Sequence, residues 1–271
     1  MDWPTGLHWR AEAAGEAMAG AAMRAAGLLR AAADVVMPPL ALDATRRAGP
    51  MQSPGLTAAS WAKLAFIEAP VCDGCGAPQV YDAGADARGP ACLVRRRAFD
   101  RVRAAVAYDD ASRDLILKLK RADRTDLAGL FSLWLSRAAR DLIEDADAVI
   151  PVPLHPMRLI TRRFNQAAEI ARPLARRAGL AYLPGVLIRR RDTPSQGGRS
   201  ASGRRRNMQA AFAVPRQAWP KVAGRRVLLV DDVLTTGATA EACARVLKAA
   251  GAQAVHVATV ARVQEREAQP I

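Results

Sequence analysis

Two neighbouring carboxylates, Asp231 and Asp232, end an uninterrupted apolar run, Val227-Leu228-Leu229-Val230, and a hydroxyl-rich turn, Thr235-Thr236-Gly237-Ala238-Thr239, follows close behind. An apolar run that stops at acids reads as a buried strand whose carboxyl end opens to solvent, the place where open α/β sheets bind ligands. A turn leading into a helix presents backbone N–H groups and the positive end of the helix dipole, which suits a dianionic phosphate. The hydroxyls of Thr235, Thr236 and Thr239 add donors, Ala238 offers its amide, and Gly237 permits a closer backbone approach than any side chain would. Asp231 and Asp232 can then accept hydrogen bonds from two sugar hydroxyls. The chemistry written into residues 227–239 is therefore capture of a ribose 5-phosphate group; the bland alternative is an ordinary strand–turn–helix with a threonine cap and a surface acidic pair.

Other phosphate motifs do not fit. A Walker loop needs Gly-x4-Gly-Lys-Ser/Thr, and the nearest match, Gly198 to Gly203, runs into Arg204-Arg205. No Gly-x-Gly-x-x-Gly follows a strand.

A second constellation is Cys72-x2-Cys75-x16-Cys92, the opening of a zinc ribbon. The fourth ligand is missing, and Arg95 stands at its position with a positive charge. Structural zinc wants four ligands, so Cys72, Cys75 and Cys92 read as the remnant of a degenerate ribbon, and the count argues against bound zinc. Asp73 or Asp86 could substitute, with nothing to single out either. Cys243 shares a helical face with Ala240, Val246, Leu247 and Ala250 and reads as core.

The elements that must position these groups follow from periodicity. Residues 103–108, 148–152, 226–232 and 254–262 read as strands, and 238–250 and 165–178 as helices, the last bent by Pro173. Leu127, Leu130, Phe131, Trp134, Leu135, Ala138 and Leu142 recur at spacings of three and four and predict one further helical face. Strands alternating with helices imply an α/β fold with a parallel sheet covered on both faces. Residues 189–206 are polar, glycine-containing and basic, and read as a mobile loop able to close over the site or simply solvated. The expected organisation is an Ala-rich extension over 1–36, a ribbon-like region over 37–100 and the α/β domain over 101–271.

Size and charge bound the possibilities. The chain has 271 residues and a formal net charge of +14, concentrated in arginine clusters such as Arg95-Arg96-Arg97, Arg162-Arg163 and Arg204-Arg205-Arg206. Such clusters suit polyphosphate ligands or nucleic acid, or are merely solvated. Aromatic residues are only 5% of the chain, which weakens a dedicated single-strand binder built on base stacking. No apolar run reaches the ~18 residues of a membrane span, and charges interrupt the N-terminal stretch where a secretory signal would need an apolar core. The expectation is a soluble, cytoplasmic protein.

Residues 227–239 resemble the signature of type I phosphoribosyltransferases, which bind phosphoribosyl pyrophosphate (PRPP). The remaining motifs narrow the resemblance to the ComF family: Lys118-Leu119-Lys120 after Tyr108, Pro151-Val152-Pro153-Leu154-His155, Arg162-Arg163-Phe164-Asn165-Gln166-Ala167, Thr193-Pro194-Ser195-Gln196, and Arg206-Asn207 ahead of Ala211-Phe212. The resemblance covers about residues 70–262 and implies a type I phosphoribosyltransferase-like parallel sheet flanked by helices, with an association with competence for DNA uptake. It implies Mg²⁺ bound with PRPP near Asp231 and Asp232. It also places a pyrophosphate turn at Pro153, Leu154 and His155, with Arg162 and Arg163 as supports; His155 could donate to a phosphate or simply pack, and Lys120 could reach a phosphate or snorkel at the surface. Related 6-oxopurine salvage enzymes carry an Asp three residues after the acidic pair; here that position is Thr235, no general base near neutral pH, so that chemistry is disfavoured. Two readings stay open: an enzyme transferring the phosphoribosyl group to an unidentified acceptor, or a binding protein supporting DNA uptake through its basic surface, with single-stranded DNA or competence proteins as partners.

Overall fold

The computed structural model describes residues 51–53, 55–84, 86–121, 124–190 and 211–264, with backbone alone for 51–53, 121, 158 and 161. The extension over 1–36, the motifs at 193–196 and 206–207, and the loop beyond Arg190 lie outside the described residues. The chain divides into two units, Met1–Ala58 and Ala59–Ile271. In the first, Met51–Ser53 pairs antiparallel with Leu56–Thr57.

The second unit is built on five parallel strands: β1 (Val102–Ala107), β2 (Ala148–Pro151), β3 (Ala181–Tyr182), β6 (Arg226–Leu234) and β7 (Ala254–Arg262), in the order β1-β7-β6-β2-β3. Two short strands, β4 (Ile188–Arg189) and β5 (Phe212–Ala213), form a separate antiparallel pair. Parallel neighbours need crossovers, and helices supply them. After α1 (Pro90–Val94), which precedes the sheet, come α2 (Asp110–Arg121), α3 (Asp126–Ala138), α4 (Arg140–Glu144), α5 (Pro156–Arg162), α6 (Gln166–Ala178) and α7 (Ala238–Ala249). The expected parallel sheet flanked by helices is what the chain forms.

β6 is the central strand of this sheet, and its composition explains why. Val227 to Val230 have no exposed surface, as a strand buried on both faces requires. Val227 and Leu229 join Cys243, Ala244 and Leu247 of α7 in one buried cluster; alternation turns Leu228 and Val230 to the opposite face. The strand runs two residues beyond the expected 232, because Val233 and Leu234 continue the register with Ala261 and Arg262 of β7.

One other boundary differs from the sequence reading. The apolar stripe that was expected to continue to Leu142 breaks at Ala139 (φ −111°, ψ 26°), and Leu142 is buried from the separate helix α4. Helix α6 runs through Pro173, from the Asn165 cap, whose side chain accepts from the Ala167 N–H, to Gly179 at φ 66°. Pro173 removes only the donor to the Glu169 carbonyl. Cys243 and Trp134 are buried, as read, and so is His256, whose Nε2 lies 2.7 Å from Asp145.

The segment before β1 is tied to the sheet rather than set apart from it. Phe66 bridges antiparallel to Val106, and the Val102 N–H donates to the Asp73 carbonyl. Asp73, nearly buried, carries Arg101 and Arg103, and Asp141 of α4 meets the same two guanidinium groups. Among the described residues no helix is long and apolar enough to cross a membrane.

Truncating Leu229 to alanine is expected to cost about 3 kcal/mol, the usual penalty for a cavity in a packed core, read as a lower midpoint in urea unfolding; a loss under 1 kcal/mol would contradict the central placement of β6.

Candidate functional site

The site forms where β6 and β2 end side by side. Pro151 pairs with Val230, and the Val152 N–H still donates to the Val230 carbonyl. The turn after β2 and the acidic end of β6 therefore open at the same carboxyl edge.

Strand alternation sends Asp231 and Asp232 to opposite faces. Asp231 follows Val227 and Leu229 toward α7, close enough that its charge contributes to raising the thiol of Cys243, after burial itself. Its Oδ1 accepts from the Asp232 N–H at 2.9 Å. By surface area Asp231 is only half-buried, yet enough protein encloses its carboxyl that burial, and then repulsion from Asp232, push its pKa up to about 8. Asp232 points the other way, where Lys120 Nζ of α2 meets its Oδ2 at 2.6 Å. Lys120, read from sequence as a phosphate contact, is placed on the acidic pair itself.

The turn expected to take the phosphate sits directly downstream. Gly237 caps α7 at φ 76° and ψ 6°, the left-handed region that glycine enters without strain. Thr235 and Thr236 are exposed, Ala238 and Thr239 half-buried, and the Gly237 carbonyl is taken by the Glu241 N–H. The amides at the start of α7 are the orphan donors of a helix N-terminus. The back of the turn is closed by Phe99, 3.6 Å from where a Cβ on Gly237 would lie.

The turn after β2 brings Pro153, Leu154 and His155, all half-buried, to the same edge. His155 caps α5, its Nδ1 accepting from the Met157 N–H at 3.4 Å, so the ring serves the helix start. Helix α5 itself was missed from sequence, where this stretch carries no apolar stripe; Met157, Leu159 and Ile160 all face solvent. Arg162 donates to Gln166 at 3.3 Å, and Arg163 ends the helix at φ 64°. Asn165 donates to the Val152 carbonyl at 3.0 Å and so ties α6 back to β2.

The three cysteines converge: the sulfur atoms of Cys72, Cys75 and Cys92 lie within 4.8 Å of one another. Burial would raise the Cys72 thiol, but hydrogen bonds from the Gly89 and Cys75 amides and the neighbouring thiols outweigh it and lower the pKa; burial and the other two sulfurs push Cys92 up to about 12. Among the described residues no fourth Cys, His, Asp or Glu joins them, so the donor set does not fit a closed structural zinc site. The reading that Arg95 charges this spot is corrected: Arg95 turns away and donates to both oxygens of Glu241 at 3.1 and 3.0 Å. A guanidinium beside the sulfurs belongs to Arg262, with Nη2 3.8 Å from Cys75 Sγ.

A family model for the phosphoribosyl transferase domain matches residues 165–271. Competence protein F of Haemophilus influenzae is 31% identical over 200 residues, covering 71% of this chain and 85% of the relative. The DNA utilization protein YhgH of Escherichia coli is 32% identical over 192 residues, covering 69% and 82%. Among solved structures, glutamine phosphoribosylpyrophosphate amidotransferase from B. subtilis shares 25% identity over 49% of this chain and 25% of that one, at a TM-score of 0.32. Adenine phosphoribosyltransferase from Saccharomyces cerevisiae shares 18% over 56% and 69%, at 0.30. Overlaps this slight carry no argument.

The raised Asp231 carboxyl gives a pH signature. The folded chain keeps a proton that the unfolded chain releases above about pH 4, so the stabilisation is present in full below that pH and is lost as the pH rises through about 8. Asp231→Asn should gain on wild type between pH 4 and pH 9, by on the order of 5 °C in Tm; parallel Tm–pH curves would contradict the assignment.

Proposed function

The chain belongs to the ComF family, and from that premise we propose that its larger unit captures PRPP, or a related ribose 5-phosphate ligand, and transfers the phosphoribosyl group to an acceptor. What supports the reading is the meeting, at one edge of the sheet, of the acidic end of β6, the glycine-capped start of α7 and the turn after β2.

Each part has a task. The amides from Thr236 to Thr239, with the threonine hydroxyls, hold the 5-phosphate. Asp231 and Asp232 accept from the ribose hydroxyls, and Lys120, paired with Asp232, holds that carboxylate in place. The turn at Pro153, Leu154 and His155, with Arg162 and Arg163 close behind, receives the pyrophosphate. In the transfer the bond from the anomeric carbon to pyrophosphate breaks, the sugar passes through an oxocarbenium-like state, and the acceptor's nucleophile forms the new bond. Carboxylates are hard oxygen donors that suit Mg²⁺; bound with PRPP near Asp231 and Asp232, the ion would supply neutralisation of the leaving group. Thr235 offers no general base, so the acceptor must arrive as a competent nucleophile or find its base elsewhere.

A second reading has its own support. The relatives' names speak of competence and DNA utilization, and the net charge of +14 suits an anionic polymer. In that reading the ribose-phosphate pocket is kept without transfer, and single-stranded DNA or competence proteins meet the basic surface.

One experiment separates them. Mg-PRPP should raise the Tm of the wild-type chain by several degrees at concentrations about 100-fold above Kd. Asp231→Asn/Asp232→Asn should lose at least about tenfold in affinity. No shift in the wild type would refute ligand capture. A shift with no pyrophosphate release across candidate acceptors, beside DNA binding that collapses with rising salt, would favour the second reading.

A further inference from the structure

Arg97 lies 139 residues ahead of the phosphate turn, in the segment that carries the cysteines, yet its Nη1 donates to the Thr236 carbonyl at 3.0 Å. That nitrogen also lies 3.5 Å from Glu241 Oε2, on the first turn of α7. Glu241 is almost fully buried and is held as well by Arg95 at 3.0 Å and Arg245 at 2.7 Å. Burial would raise its carboxyl, but Arg245, Arg95 and Arg97 together keep it below the usual range. The glutamate is thus a fixed anchor, and Arg97 spans from it to the turn.

The position of that bond matters. In a trans peptide the carbonyl and the next N–H point in opposite directions. A donor fixed on the Thr236 carbonyl therefore aims the Gly237 N–H to the far side of the turn. Left alone, this peptide could rotate, because Gly237 has no Cβ to resist it. Rotation would turn a carbonyl oxygen toward the phosphate and remove a donor. Phe99 and Arg97 both lie within 3.7 Å of the Gly237 Cβ position, on the closed side of the turn.

We propose that Arg97 is a positioning residue of the phosphate turn: by holding the Thr236 carbonyl against Glu241 it presents the Gly237 amide to the 5-phosphate. The inference rests on the ribose 5-phosphate reading of this site. It makes the segment after the cysteines part of the phosphate site, although that segment touches no ligand.

The test uses the full chain and two probes, ribose 5-phosphate and Mg-pyrophosphate, titrated separately by calorimetry. Arg97→Ala should weaken ribose 5-phosphate by about tenfold, the size of one charge-assisted hydrogen bond. Mg-pyrophosphate, bound at the turn after β2, should keep its affinity. Arg97→Lys, which restores a charged donor, should recover most of the loss. Arg97→Gln is too short to span the gap; it should lose the same factor as alanine and carries the test where the alanine variant folds poorly. Wild type that binds ribose 5-phosphate while Arg97→Ala binds it equally would overturn this proposal alone, as would equal loss of both probes. Wild type that fails to bind ribose 5-phosphate would overturn the site reading and this proposal with it.

Discussion

Asp231 and Asp232 sit where a strand enclosed on both faces runs out, and two adjacent carboxylates in such a place repel each other whenever both are charged. The protein divides the problem between the two faces of the sheet. Asp232 is neutralised by Lys120, at 2.6 Å. Asp231, on the α7 side, accepts from the Asp232 amide, but burial and repulsion from Asp232 outweigh that bond and the more distant charge of Lys120, and it holds its proton. A ligand that brought hydroxyl donors or a cation to this edge would favour the charged form of Asp231. Much of the surrounding architecture follows from supporting this edge. β6 must be buried along Val227 to Val230 to hold the pair in place, β2 must run parallel beside it to bring the second turn level, and α7 must begin immediately after it.

The segment with the three cysteines then acquires a structural meaning that does not depend on a metal. Asp73 binds Arg101 and Arg103 at the start of β1, Arg262 at the end of β7 reaches the Cys75 carbonyl, and Arg95 and Arg97 reach Glu241. These charged pairs are mostly part-buried, so each matters less for total stability than for fixing where a backbone goes. Several of the arginines that look in sequence like a polyphosphate or nucleic-acid surface are thus committed to the fold. The net charge overstates how much of the basic surface is free.

What was legible in the sequence was whatever local periodicity encodes. β7 is found at its expected limits and α6 and β6 within two residues, because an apolar run or a 3.6-residue stripe states its own burial. The acidic pair and the turn over 235–239 stand out for the same reason, since all their residues are neighbours. Helix α5 was not, because its apolar residues face solvent and leave no stripe. Nor were Lys120 on Asp232, or Arg97 on Thr236 and Glu241, since contacts across more than a hundred residues are decided by the strand order and carry no local mark. The side on which Asp231 and Asp232 each fall required only the strand period.

The central claim is that one carboxyl edge of the sheet holds a ribose 5-phosphate, and a crystal structure of the chain with that ligand tests it most directly. The account predicts the phosphate within hydrogen-bond distance of the amides between Thr236 and Thr239, with ribose hydroxyls donating to Asp231 or Asp232. A ligand bound instead among the surface arginines, with the start of α7 facing only water, would contradict it.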